Sequence, residues 1–409
     1  MNVTKTIVLT LLLLLSMPCL TLAQKKELSQ ARTILKSGRG AEQAEKLMTG
    51  LLKDSINREN KRIYAVWYES VLMQYLAVNE KLYMKQRQDT AQFFQLTKRL
   101  FSIAETLDSL DMKPDKKGKV APEYRRENAR RLNAYRPNLF YAATYFVRKG
   151  QYQQAFDFSE AYLDCFHQPL FSELSLDSTD NRLAEAAYWA TYSAYRQHDA
   201  VHTLRHRELA LRDTSKAQFT LQYIAEARHW LKDDSLYLET LRQGFQRFPR
   251  NPYFFPRLMD YYTLRHENKL ALETVNHALE ANDSSQLTLF AKATVLFNLG
   301  QFDESIAVSE MLLQRNDSLA DAYYNIGICH MNKALELDVL RDKKALRRVY
   351  QHARQYLERY RELAPKELDK WGPALYRIYL NLNMGRQFDE IDRLLKRRDF
   401  PGALRSEKR

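Results

Sequence analysis

GQYQQAF, Gly150–Phe156, and GQFDESI, Gly300–Ile306, are nearly the same text. Each opens on Gly-Gln-aromatic and closes, after two polar residues, on a small residue and an apolar one. A glycine that follows one periodic apolar run and precedes another reads as the end of a helix and the start of the next. Two such places in one chain call for a search for a period.

A frame of 34 residues begun at Gln286 puts Leu289, Ala293 and Leu296 on one helical face. Gly300 ends that helix, and Phe302, Ser305, Ser309 and Leu312 form the face of a second, with Asp317 in the closing turn. One period earlier, Phe255, Leu258, Met259 and Tyr262 take the first face and Ala271, Val275 and Ala278 the second. One earlier still, Leu221, Ile224 and Ala225 precede Tyr237, Leu241 and Gly244. One period later, Tyr323, Ile326 and Gly327 occupy the first-helix places. A further frame from Arg136 places Leu139, Ala142, Ala143 and Phe146 on a first helix and Tyr152, Ala155, Ser159 and Tyr162 on a second. It is out of phase by the loop-like stretch PLFSELSLDSTDNR, 169–182. A second insert, near 332–346, keeps helical periodicity and predicts a hairpin with both helices lengthened. A copy at Ala184 has only its first helix in register, and a last copy starts at Trp371.

The spacing of large and small residues resembles the tetratricopeptide repeat. Antiparallel helix pairs need small side chains where they cross and large ones where the next pair stacks. The expected fold is all-α: a right-handed superhelical solenoid of antiparallel helix pairs over 136–400. Residues 24–135 are expected to add helical hairpins, one repeat-like (Leu28, Ala31, Leu35, Ala44, Met48 and Leu51 in a frame from Lys25) and the others irregular, either stacked on the array or as a separate domain, and 401–409 a tail. The stretch from DTAQFFQLTKRLFSIAETLDSLD, Asp89–Asp111, to YRPNLFYAATYF, Tyr135–Phe146, is also similar to exported repeat proteins of Bacteroidetes-type bacteria. That likeness implies a periplasmic or surface setting.

Composition agrees with helices. The 409 residues are 45% hydrophobic, with 11 Gly and 11 Pro, too few for a fold of many tight turns. Lys5, the apolar run Ile7–Leu15 and Thr21-Leu22-Ala23 read as a signal peptide over 1–23. Export is therefore expected, with a soluble periplasmic or cell-surface product. A lipid anchor on Cys19 is the alternative, against which Pro18 stands. The net charge is +13, and the leader contributes one Lys and no acid to it. In an exported protein this excess favours an acidic protein, lipid or glycan over nucleic acid, or is spread over solvated helix faces.

The chemistry of a site is largely missing. No G-x-x-x-x-G-K-[ST], G-x-S-x-G, H-E-x-x-H or C-x-x-C occurs. His202 and His206 have the i, i+4 spacing of a helical metal pair, with no third ligand evident. No cofactor, metal or catalytic residue is expected. Cys165 and Cys329 fall in distant copies, farther apart than a disulfide spans, and are expected to stay as thiols.

The tetratricopeptide resemblance implies that first helices line a concave groove. The places pointing into it are Phe140, Tyr188, Tyr192, Tyr195, Tyr223, Phe290, Phe297, Tyr324, Tyr376 and Tyr379. Tyrosine couples large apolar area to a hydroxyl and few rotors, which suits peptide recognition. The competing reading packs these rings against neighbouring helices. A carboxylate clamp of the chaperone-binding kind would use Lys, Arg and Asn at first-helix places. Here those places hold no Lys, and Arg257 and Asn325 lie in non-adjacent copies. The expected function is a scaffold that holds another protein or peptide, with any membrane association peripheral. The alternatives are a binder of acidic glycan or lipid, and a hydrolase whose site joins His202 or His206 to a carboxylate in a pocket.

Overall fold

The computed structural model describes residues 24–399, apart from 87, 88, 116, 177–179, 284 and 339. The leader over 1–23, Cys19 and the tail lie outside the described residues. Those residues are helical, with no strand among them. They form two compact units, one reaching to Asp233 and the other starting at Asp234.

Helix ends set the spacing. Seven helices stop on a residue with positive φ: Lys85, Gly150, His198, Lys232, His266, Gly300 and Asn383, at φ between 56° and 75°. At each, the next residue's amide reaches back to the carbonyl five positions earlier. Gln151 donates to Phe146, Asp199 to Ala194, Asp233 to Arg228, Glu267 to Tyr262, Gln301 to Leu296 and Met384 to Tyr379, all at 2.9–3.1 Å. This left-handed cap satisfies carbonyls that a helix end leaves open and turns the chain back along the helix it has finished. Gly150 and Gly300 are thus one structural place in two copies. Positions 198, 232, 266 and 300 follow each other at steps of 34.

In the first unit, helices over 24–36, Ala41–Leu51, Lys61–Tyr83 and Thr90–Asp111 precede Arg125–Tyr135, Pro137–Arg148, Tyr152–Asp164, Leu183–Arg196 and Ala217–Trp230. Consecutive partners pack side by side across short turns, so each pair is antiparallel. The faces read from the sequence are the buried ones: Leu139, Ala142, Ala143, Phe146, Ala155, Ser159 and Tyr162 are essentially inaccessible. One apolar core runs from Ala65 to Ala210. It joins the N-terminal helices Lys61–Tyr83 and Thr90–Asp111 to the repeats, so they share a unit with them. A smaller cluster around Ala31, Ala44, Met48 and Ile63 closes the N-terminal end.

The described residues of 169–182 are packed rather than loop-like. Pro169–Leu174 forms a 3-10 turn that buries Leu170 and Phe171, and the Phe171 ring lies 6.0 Å from Phe101. Asp180, at its end, pairs with Arg136 and accepts from the Tyr162 hydroxyl at 2.6 Å. The following second helix is broken into Ala200–Arg205 and Arg207–Ala210, which explains its poor periodic signal.

In the second unit, second helices begin at Asp234, Asn268 and Phe302, a step of 34, and first helices span Phe254–Leu264, Gln286–Asn298 and Ala320–Lys333. Small residues mark the crossings. A Cβ on Gly327 would stand 2.5 Å from Leu357 Cγ, and one on Gly244 2.2 Å from a Phe254 ring carbon. The insert near 332–346 does not lengthen both helices. The first stops at Lys333 and passes through a 3-10 turn, Ala334–Glu336, and only the second is long, Lys343–Leu363. The buried polar side chains around Asn325 are satisfied locally. Asn325 Nδ2 donates to Ser305 and Ser309 at 2.9 and 2.8 Å, and Ser305 donates to the Ala293 carbonyl at 2.7 Å.

The caps give a direct stability test. A side chain at positive φ costs on the order of 1 kcal/mol that glycine avoids. Lys232 and His266 are exposed there, and nothing lies within 4 Å of a Cβ built on Gly300. Denaturant unfolding should show Lys232→Gly and His266→Gly each gaining about 1 kcal/mol, and Gly300→Ala losing a similar amount.

Candidate functional site

Tyr188, Tyr192 and Tyr195 stand at i, i+4 and i+7 on Leu183–Arg196, so they form one stripe. Tyr223 and Trp230 stand at i and i+7 on Ala217–Trp230, the next first helix. The two helices pack together, and the stripes merge. Tyr195 stacks on Tyr223 with ring centres 4.5 Å apart, and on Trp230 at 5.5 Å with a 12° interplanar angle. Tyr192 lies 5.6 Å from Tyr223 and 6.4 Å from Tyr188. Tyr152 meets Tyr192 edge-on at 6.0 Å. Tyr188 is buried, whereas Tyr192, Tyr195, Tyr223 and Trp230 are half-buried.

Charge borders this cluster on one side. The Arg196 guanidinium sits 4.4 Å over Tyr152 and donates to the Tyr192 hydroxyl at 2.6 Å. Lys216 lies over Tyr188 and is paired with Asp213 and Glu185. Burial, together with the neighbouring tyrosine hydroxyls, pushes the Tyr223 phenol well above its ordinary value. It stays neutral, able to donate and accept. Sequence reasoning missed Tyr152, Arg196 and Trp230. Trp230 was legible as the i+7 partner of Tyr223, and Arg196 as the i+4 partner of Tyr192.

The other six groove positions are not gathered with these four. Phe140 is buried against Tyr162, with Arg182 over its face. In the second unit, Tyr379 is 2% exposed and its hydroxyl donates to Glu358 at 3.0 Å. Tyr324 packs on Tyr360, Tyr376 on Phe388 and Phe297 on Phe302. Tyr324, Tyr376 and Phe297 are half-buried, each against a ring of the second helix that follows it, whereas Tyr379 is sealed. Phe290 lines an apolar hollow of about 530 Å³ with Leu287, Leu312 and Leu319. Neither clamp-like residue is available: Asn325 is committed to two buried serines, and Arg257 lies over the Tyr253 ring at 3.7 Å.

The first unit also holds a cavity of about 440 Å³ lined by Asp164, His167, Asp180, Arg205, His206, Arg212 and apolar neighbours. His206 Nε2 bonds to Glu160, which also accepts from Arg205. Burial raises the Glu160 carboxyl, but the His206 and Arg205 bonds outweigh it and hold the group below the ordinary glutamate value. Glu160 is therefore an ionised clamp that fixes the broken helix where it bends, and a poor proton donor. Among the described residues the lining contains no serine, threonine or cysteine. His202 is held apart from His206 by its own partner, Asp199, at 2.6 Å. Among the described residues, no group of three or more His, Cys, Asp or Glu side chains is arranged to hold a metal ion.

Both remaining cysteines are free and buried. Cys165 donates to the Ala161 carbonyl at 3.2 Å, and burial raises both thiols above their ordinary value. Neither is a nucleophile at neutral pH.

No protein-family profile matches the chain, and no curated protein matches it. Solved structures that it resembles include repeat proteins, at low identity. One is the C-terminal part of a TPR repeat-containing protein from Cytophaga hutchinsonii, 11% identical, covering 62% of this chain and 92% of that one at a TM-score of 0.42. Another is YrrB, a TPR protein with an unusual peptide-binding site, 17% identical over 48% of this chain and 93% of its own, TM-score 0.35. A third is a human IFIT1 dimer with PPP-AAAA, 13% identical over 74% and 67%, TM-score 0.34. The fold assignment rests on the helix pairs and their period.

Behind the cavity wall, burial and the nearby Asp164 push the Glu105 carboxyl up to about 7. The folded state thus binds a proton that the unfolded chain releases near pH 4.5. Stability from Glu105 is complete below that value and is lost as pH rises through about 7. Glu105→Gln should melt higher than the parent at about pH 8, with the gap closing at about pH 4, in thermal scans across pH.

Proposed function

We propose that the chain is an exported helical repeat scaffold that holds a partner protein on the first-helix face centred on Tyr192, Tyr195, Tyr223 and Trp230. The observation that carries this reading is the half-exposed ring cluster bridging two successive first helices. Stacked rings already fixed by one another lose little freedom when a partner covers them, and their hydroxyls and the Arg196 fork supply polar contacts at the edge. Four of the ten positions singled out by the repeat meet in this cluster. The +13 charge of the chain favours a partner with an acidic surface. The leader-like N-terminus supports export, and the absence of a helix among the described residues that could cross a membrane is compatible with it.

Binding accounts for the site better than hydrolysis. The cavity at His206 supplies a histidine next to a carboxylate, but Glu160 is tied to both His206 and Arg205, and among the described residues no serine, threonine or cysteine lines the space. Glycan binding would use the same aromatic faces and is distinguished by its ligand.

The test is crosslinking in native envelopes, with mass spectrometry of what the chain captures. Tyr195→Ala combined with Tyr223→Ala should remove the principal captured protein while far-ultraviolet circular dichroism keeps its helical signal. The Phe versions of both positions should retain much of the capture. Undiminished capture by a helical Ala variant would sink the reading. Salt-sensitive binding to purified envelope glycan, with no protein captured, would move the assignment to sugar.

A further inference from the structure

The second unit contains a charged surface that the repeat does not require. Lys343–Leu363 is the longest helix of that unit, and its first turns extend the chain beyond the 34-residue plan. Arg341, Lys343, Lys344, Arg347 and Arg348 crowd into eight positions there, and all five are exposed. The three arginines in the second half of the same helix are matched: Arg354 with Glu358, Arg359 with Glu362 and Arg361 with Glu390. Among the described residues Lys343, Lys344, Arg347 and Arg348 have no carboxylate or hydrogen-bond partner, and Arg341 only a 3.9 Å approach to Asp338. The nearest acids serve the turn. Asp338 accepts from the amides of Leu340 and Arg341, and Asp342 accepts from that of Asp338.

This placement works against the helix itself. The N-terminal end carries the positive pole of the helix dipole, where acids stabilise and cations do not. No acid occupies the first turn of Lys343–Leu363. Asp342 at the N-cap offsets these like charges only in part, because the four Lys and Arg side chains inside the helix stay unmatched. Beside them stand two apolar side chains that the core does not use: Leu335 is 60% exposed and Leu340 79%. The helix face below, with Tyr350, Ala353 and Leu357, is buried in the unit, so the helix cannot roll to offer it elsewhere.

We propose that this edge, Leu335 and Leu340 flanked by Arg341, Lys343, Lys344, Arg347 and Arg348, docks the protein on the surface of an anionic lipid bilayer. Charge complementarity supplies the attraction and the two leucines enter the interface. The leucines favour a bilayer over a soluble polyanion, which gives them nothing to bury against. This surface is independent of the tyrosine cluster.

Flotation of the intact protein with phosphatidylglycerol-rich and with pure phosphatidylcholine vesicles tests it. Binding should be confined to the anionic vesicles and fall steeply with salt. Lys343→Glu with Lys344→Glu should weaken it by at least about fivefold per charge changed. The same variant should keep or raise its melting temperature, because acids suit that helix end. Leu335→Ser with Leu340→Ser should weaken vesicle binding without altering the fold. Failure of the parent to float with anionic vesicles overturns the proposal, as does flotation indifferent to the Lys substitutions. Binding to heparin that competes with vesicles and ignores the leucine substitutions reassigns the surface to a soluble polyanion and also overturns it.

Discussion

The structure depends on how its helices stop. An α-helix leaves its last carbonyls without partners, and a left-handed residue one step past the end lets the following amides fill them. That geometry fixes the direction of the departing chain. Used again and again, it returns the next helix to the same relative position, and side-by-side pairs follow without any long-range instruction. Each pair still hides only part of its apolar surface, so stability comes from the neighbour. The 34-residue step is the length of two helices plus their turns, and the left-handed residues at 198, 232, 266 and 300 mark it in the backbone.

Small residues then decide how closely the pairs approach, and rings decide what fills the remaining space. Gly327 beneath Leu357 and Gly244 beneath Phe254 leave no room for a methyl group. Where the space between helices is wide, a tyrosine enters and its hydroxyl finds a carboxylate, as Tyr379 does with Glu358 and Tyr162 with Asp180. Tyrosine richness is therefore a packing device in most of the chain. It reaches the surface singly at Tyr83 and Tyr141, and as a cluster where the stripes of Tyr192 and Tyr223 meet.

Much of the fold was legible in the sequence because burial and periodicity are the same fact seen twice. Leu221, Ile224, Leu258, Ala293 and Ile326 were read as facing inward and are buried. Other features were hidden. His198, Lys232 and His266 give no sign of a left-handed cap, since glycine is the residue that announces it. The 169–182 stretch looked like a surface loop because its apolar residues are few and its composition polar, yet Leu170 and Phe171 enter the core and Asp180 is held by Arg136. For the ring positions, direction was legible and surroundings were not. Position along a helix tells which way a ring points. It does not tell whether a second helix already occupies that space, and for Phe140 and Tyr379 one does.

Among the described residues each unit also conceals one cysteine thiol. Cys165 lies in the first and Cys329 in the second, both sealed from solvent and both held in the protonated form by burial. An alkylating reagent reaches either one only when the helices around it come apart. The chain thus carries its own pair of opening sensors, and the order in which they are marked during gentle warming reads out which half loosens first, with no label introduced.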